Sequence, residues 1–300
     1  MITTAPRCTS LLLLAVVLSA CSPDPTPEIE IPSWAKVAPQ QVAEAKKHGV
    51  PVAFENGLGM RFVLIPAGTF LMGEEPVEGY TYDPKFGATI SMPFYASIHE
   101  VTNGEYLRFR PEHKSGDVLG YEMGGDRRPV VRVSWDDAVA FAVWLSAQDP
   151  VRSYRLPTEA EWEWLCKAGT GAPYWWGDAT ADGRPPGSKR TEAQELENPI
   201  THEVGSHACS PWGLYDVHGN VREWCRDVDG PYPSEPTTDP VGPAHEGRPA
   251  KMCLRGGSWL HKKPLWTRAT RRGWWWSDEG YSDIGFRLVS PLSEPSQQTR

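Results

Sequence analysis

Nowhere in the 300 residues is there a Cys-x-x-Cys, a His-Glu-x-x-His or a Gly-x-x-x-x-Gly-Lys-Ser/Thr motif. Zinc ribbons, zincins and P-loop enzymes therefore have no support. Basic charge is also short. Lys+Arg 30 against Asp+Glu 38 leaves a net charge of −8, which argues against a general nucleic-acid-binding surface. No internal repeat is evident, and the apolar run Leu11 to Leu18 is too short to span a bilayer. What is plentiful is Trp 14, Pro 29 and Gly 28. Many turn residues with many large aromatic rings predict a loop-rich fold with tryptophans packed between the loops, not a helical bundle or a Rossmann-type sheet. The length suits one large domain or two small ones, and 40% hydrophobic with 23% charged residues is a globular composition.

The first residues read as an address. Arg7, the apolar run and Leu18-Ser19-Ala20-Cys21 have the order of a secretory signal ending in a lipidated cysteine. An ordinary cleaved signal with a chance cysteine is the alternative. Residues 1–20 are expected to be the signal. Cys21 would carry the lipid, and residues 21–51 would be a Pro-rich tether with one short helix. Ser22 after Cys21 resembles an outer-membrane sorting signal, so the expected location is a bacterial cell envelope. The membrane contact would be made through Cys21. Cys166, Cys209, Cys225 and Cys253 would then face an oxidising compartment, and three pairings are open.

A domain is expected over residues 52–291, with a tail over 292–300. Pro39 to Lys47 predicts a helix ended by Gly49. Met60 to Ile65 and Thr69 to Gly73 predict two strands about a Pro66-Ala-Gly turn. Thr102-Asn-Gly-Glu105, Ser134-Trp-Asp-Asp137 and Thr158-Glu-Ala-Glu161 are capping-box helix starts. Ala138, Phe141, Ala142 and Leu145 fall on one helical face, as do Trp162, Leu165 and Cys166, with Gly169 as the expected C-cap. The fold class is α+β with short elements and much irregular chain.

Eight ordered motifs carry a resemblance. They are Ile65-Pro-Ala-Gly-Thr-Phe-Leu-Met-Gly73, Glu100-Val-Thr-Asn103, Pro129-Val-Val-Arg-Val-Ser-Trp135 and Tyr154-Arg-Leu-Pro-Thr-Glu-Ala-Glu-Trp-Glu163. Gly213-Leu-Tyr-Asp216, Gly219-Asn-Val-Arg-Glu-Trp224, Leu254-Arg-Gly-Gly-Ser-Trp259 and Gly285-Phe-Arg287 follow. Together they resemble the formylglycine-generating enzyme or sulfatase-modifying-factor family over nearly the whole domain. The resemblance implies a C-type-lectin-like variant fold and an oxidase that converts a sulfatase cysteine to formylglycine with copper and dioxygen. Its chemistry rests on two cysteines after Gly-Gly-Ser, and soft thiolates suit Cu(I). Here those positions hold His261 and Trp266, so the copper oxidase is not expected. The resemblance also implies calcium: Asn220, Glu223 and the backbone near Val221 match one site, and Asn198 is a weak remnant of a second. Some relatives add an iron module with a His-x-x-x-His-x-Glu motif, which does not occur here. The eight histidines read as loop residues.

From Arg248 to Trp276 the sign of charge reverses. Arg248, Lys251, Arg255, Lys262, Lys263, Arg268, Arg271 and Arg272 stand there without an acid. Arg255, Arg268 and Arg271 resemble family scaffold. Ser258, Trp259, His261, Lys262, Lys263, Trp274, Trp275 and Trp276 are the expected groove, an aromatic and basic cleft for an envelope protein, peptide or glycan. The same tryptophans could instead fill a loop-rich core. The leading reading is a binding or assembly module of the envelope without oxidase activity. The alternative is an enzyme with a rearranged site, acting on a protein cysteine or another substrate.

Overall fold

Capping chemistry decides where the helices begin. The computed structural model describes residues 1, 28–74, 84–177, 200–243, 245–246, 249–261 and 263–292. Cys21, Asn198, Arg248 and Lys262, with the expected signal and most of the tail, lie outside the described residues. Helix α1 (Pro39–His48) has Pro at its first turn and stops at Gly49 in the left-handed region (φ 64°). Helices α2 (Asn103–Tyr106), α3 (Trp135–Gln148) and α4 (Glu159–Lys167) each start on an expected capping box. The Thr158 hydroxyl accepts the Glu161 N–H at 3.1 Å, and the Glu161 carboxylate accepts the Thr158 N–H at 2.8 Å. Two otherwise orphaned amides are satisfied in one exchange.

The expected apolar face of α3 is the one that is buried: Ala138, Phe141, Ala142 and Leu145. Helix α4 differs from its expectation in two ways. Its left-handed cap is Ala168 (φ 47°), one residue before Gly169 (φ 80°). An added Cβ on Gly169 would lie 3.2 Å from the Trp212 ring, so packing as well as backbone angle calls for glycine there. The helix is also buried on every side, including Glu159, Glu161, Glu163 and Lys167. Charges that deep persist only when paired, and Lys167 Nζ donates to Glu163 Oε1 at 2.6 Å.

Among the described residues thirteen short strands complete the fold. A sheet of β1 (Ala53–Glu55), β2 (Arg61–Ile65), β5 (Phe94–Ser97) and β13 (Val289–Pro291) joins both ends of the domain in antiparallel register. Strands β3 (Gly68–Met72), β4 (Phe86–Ile90) and β9 (Thr237–Thr238) form a second sheet, and β6 (Asp117–Val118) with β7 (Tyr121–Glu122) a small hairpin. The sheet that carries the site runs β11 (Gly273–Trp276), β10 (Lys251–Arg255), β8 (Arg222–Val228), β12 (Ile284–Gly285). Strand β11 is one of its two edges. Trp162, Trp212 and Trp224 are fully buried in the core that α4 shares with these sheets, as the composition predicted. Among the described residues no helix is long and apolar enough to cross a membrane.

Candidate functional site

Strand β10 ends at Arg255 and the chain turns on two glycines. Gly256 (φ 93°) and Gly257 (φ 70°) both occupy the left-handed region. A Cβ on Gly257 would meet the Trp266 carbonyl at 2.6 Å, so only glycine lets the returning loop lie this close. Ser258 then anchors the turn, its hydroxyl donating to Asp283 Oδ2 at 2.6 Å. His261 Nδ1 accepts the Ser258 N–H at 3.0 Å, which puts the proton of the neutral ring on Nε2. Burial, helped by the nearby Arg222 charge, holds the His261 pKa below its ordinary value. A 3-10 turn over Pro264–Thr267 brings Trp266 back against it. The His261 and Trp266 rings stack with centroids 5.5 Å apart and planes 20° apart, and the Arg271 guanidinium lies 4.2 Å from the Trp266 centroid.

This stack forms one wall of a cleft of about 550 Å³. Gly257, Trp274, four arginines (Arg222, Arg255, Arg271, Arg272) and two acids (Glu74, Asp229) line the rest. The arginines are compensated. Arg222 pairs with Asp283 at 2.7 Å, Arg255 with Glu163, Arg271 with Glu74 at 4.0 Å and Arg272 with Glu159 at 2.6 Å. Arg272, which the sequence did not place in the family scaffold, lines the cleft and also ties the start of β11 to the start of α4, far away in sequence.

The expected groove is regrouped. Ser258 is buried. Trp259 packs beside Met123, Val131, Ile200 and Val221, away from the cleft lining. Lys263 is exposed at the start of the 3-10 turn and does not line the cleft. The triple tryptophan is split by the two-residue period of the strand. Trp274 and Trp276 are 39% and 40% exposed and share Lys251, whose ammonium lies 3.8 and 5.7 Å from their centroids. Trp275 faces Tyr281 and Arg222.

No thiolate stands at the cleft among the described residues. Cys166, Cys225 and Cys253 are buried, and burial pushes all three thiols well above their ordinary value. Cys209 is half-buried elsewhere, and all four are free thiols. An imidazole engaged with a backbone amide and a stacked indole do not make a Cu(I) site, so copper does not fit this wall. The calcium set does not fit as expected from the sequence. Both oxygens of Glu223 are taken: Oε2 by Arg287 Nε at 2.6 Å and Trp162 Nε1 at 2.7 Å, Oε1 by Arg287 Nη2 at 2.7 Å. Asn220 Oδ1 accepts the His202 N–H at 3.0 Å.

Glu100 was not singled out in the sequence, and His218, beside the Gly219-Asn220 turn, was read as a residue that could line the groove, which it does not. Glu100 is buried with neither oxygen hydrogen-bonded, and burial, with Asp216 and Glu223 nearby, raises it well above the carboxylate range. His218 lies beneath the cleft-side loop, its Nδ1 donating to the Thr267 carbonyl at 2.8 Å, and burial lowers its pKa to about 4. Neither has a local sequence signal, because each is defined by partners distant in the chain.

Residues 48–292 match the sulfatase-modifying factor enzyme 1-like domain. The chain is 34% identical over 219 residues to the formylglycine-generating enzyme of Streptomyces coelicolor, an alignment covering 68% of this chain and 63% of that one. This chain thus spans just under two thirds of that relative's length. It is 26% identical over 306 residues to the inactive C-alpha-formylglycine-generating enzyme 2 of Mus musculus, covering 78% and 87%. Among solved structures, PvdO from Pseudomonas aeruginosa superposes with a TM-score of 0.65 at 27% identity, covering 80% of this chain and 98% of that one. The α+β fold is the one these relatives share. The chain belongs to the sulfatase-modifying-factor family.

Proposed function

We propose that this chain is an envelope-anchored family member without thiolate–copper oxidase chemistry, and that it binds an extended segment of a protein partner. The observation that carries the first half is the stacked His261–Trp266 pair, which fills the two positions where the resemblance puts cysteines. Oxygen activation by Cu(I) needs soft ligands, and the remaining thiols near this sheet are buried and protonated. A relative named as inactive is consistent with a family in which the fold outlives the activity.

The binding half rests on β11. An edge strand offers unpaired backbone groups, and this one displays Trp274 and Trp276 at alternate positions beside the cleft. Backbone pairing with pockets for alternate side chains is how extended peptides add to sheets. The compensated arginines favour a peptide over a strongly anionic ligand. Anchoring rests on the Leu18-Ser19-Ala20-Cys21 sequence alone. Radiolabelled palmitate should label the parent chain and not Cys21→Ser, and an unlabelled parent would contradict the anchor.

The test of binding uses the full chain on peptide and glycan arrays, with Trp274→Ala/Trp276→Ala alongside. Peptides should be retained by the parent and lost by the variant at an unchanged Tm. Retention of glycans alone, or equal retention of peptides by both proteins, would overturn the reading.

A further inference from the structure

A second group of polar side chains gathers where the loop over residues 200–207 meets the turn over residues 213–220. None of them lines the cleft. His202 Nδ1 and His207 Nδ1 each lie 3.9 Å from the same oxygen, Asp216 Oδ1. The imidazole centroids are 4.3 Å apart. One ligating atom from each of the three residues falls within 4.8 Å of the other two. The Asp216 side chain is 1% exposed, and its Oδ1 has no hydrogen-bond partner. A buried carboxylate oxygen without a donor is costly unless something cationic serves it. The imidazoles are 21% and 25% exposed, so an ion can reach them from solvent.

The surrounding contacts hold these residues in place. Asp216 Oδ2 accepts the Gly205 N–H at 2.7 Å, which leaves Oδ1 turned to the histidines. Burial would raise the Asp216 carboxyl, but His207, His202 and the Gly205 amide bring it below its ordinary value, so the group is an anion. Asp216 itself adopts a left-handed backbone (φ 60°), uncommon for a residue with a side chain. The loop is pinned by the Val204 N–H to the Arg127 carbonyl at 2.9 Å and by the His202 N–H to Asn220. His202 Nδ1 also approaches the Glu203 carbonyl at 3.0 Å. With Nδ1–H on that carbonyl, His202 would ligate through Nε2 after a rotation of its ring.

We propose that His202, His207 and Asp216 form a three-ligand site for a divalent transition-metal ion, with zinc as the ion to be tested first. Two imidazoles and one carboxylate suit zinc and disfavour calcium, which takes six to eight oxygens. Zinc bonds of ~2.0–2.1 Å at tetrahedral angles place ligand atoms ~3.4 Å apart. Ligating atoms within 4.8 Å of one another close to that with side-chain rotations, and the fourth position stays open to water or to a group from a partner. Binding would clamp the loop to the turn. It would also steady Asn220, whose carbonyl accepts the Trp259 N–H at 3.0 Å next to the Gly-Gly-Ser turn.

The site is tested on the full chain stripped with a chelator and dialysed against zinc chloride alone, with bound metal counted by mass spectrometry. The parent should bind one zinc that His202→Ala/His207→Ala binds at least ~100-fold more weakly. Zinc should raise the Tm of the parent and not of the variant. If the double variant melts lower than the parent in chelator, Asp216→Asn replaces it, since the amide oxygen can still accept the Gly205 N–H. A parent that takes up no zinc, variants that keep the parent's zinc affinity, or displacement of the zinc by equimolar calcium would overturn the proposal.

Discussion

The floor under the Gly-Gly turn and the rim above it follow opposite rules. On the floor, Arg255 is held by Glu163 and Arg287 by Glu223, all four fully buried. Removing one partner leaves a buried charge with at best a second counter-ion, as Glu159 is to Arg255 at 3.4 Å, so neither changes alone without cost. On the rim, His261, Trp266, Trp274 and Trp276 meet solvent on at least one side. Their replacement costs contact area and, at His261, the acceptor of the Ser258 N–H. The comparison teaches why a family fold can stay intact while the chemistry above it is exchanged: the residues that hold the fold lie below those that would react.

The sharpest way to break this comparison is to cut a floor pair. Glu223→Ala should lower stability by about 3–5 kcal/mol in denaturant titrations, because Arg287 is left buried without its ion pair. A loss below ~1 kcal/mol would mean that the floor is no more constrained than the rim.

His218 sits between the two regions and gives a pH signature. It is a base kept neutral by burial, with a pKa of about 4 in the fold against 6.5 in the unfolded chain. Its contribution is fully present above pH 6.5, is lost as pH falls through 6.5 towards 4, and is constant below that. The loss is about 3 kcal/mol at 1.36 kcal/mol per pKa unit. Asp227, raised by burial to about 6, works in the opposite direction over part of the same range. The measurement is therefore the difference between the parent and His218→Gln. The gap between their stability curves should move in favour of the variant by that amount from pH 7.5 to 4, and a constant gap would refute the assignment.

The smallest effect is expected on the rim. His261→Ala removes one half of a stack and the acceptor of the Ser258 N–H, and should cost about 1–2 kcal/mol. A cost as large as that of Glu223→Ala would show that the rim is part of the scaffold.

Local chemistry made much of the fold legible. The three capping boxes, the buried face of α3 and the Gly-Gly turn depend on residues within a few positions of one another, and all are seen. The site was legible where it rests on the His261 and Trp266 positions and less so elsewhere. The tryptophan triplet was grouped as one surface, although a strand sends Trp275 to the opposite side from its neighbours. Arg272 had no explanation in the fold because its partner Glu159 stands 113 positions away. His202, His207 and Asp216 belong to separate loops with no ligand spacing, and only tertiary closure brings them together.

The central claim is that this family scaffold no longer supports oxidation of a substrate cysteine. It is tested most directly by giving the full chain copper, air and a peptide with the sulfatase-type Cys-x-Pro-x-Arg sequence, and reading the cysteine by mass spectrometry. With an active family enzyme converting the same peptide alongside, this chain should leave it unchanged. Formylglycine in the product would contradict the account and show that catalysis survives a stacked histidine and tryptophan in place of two thiolates.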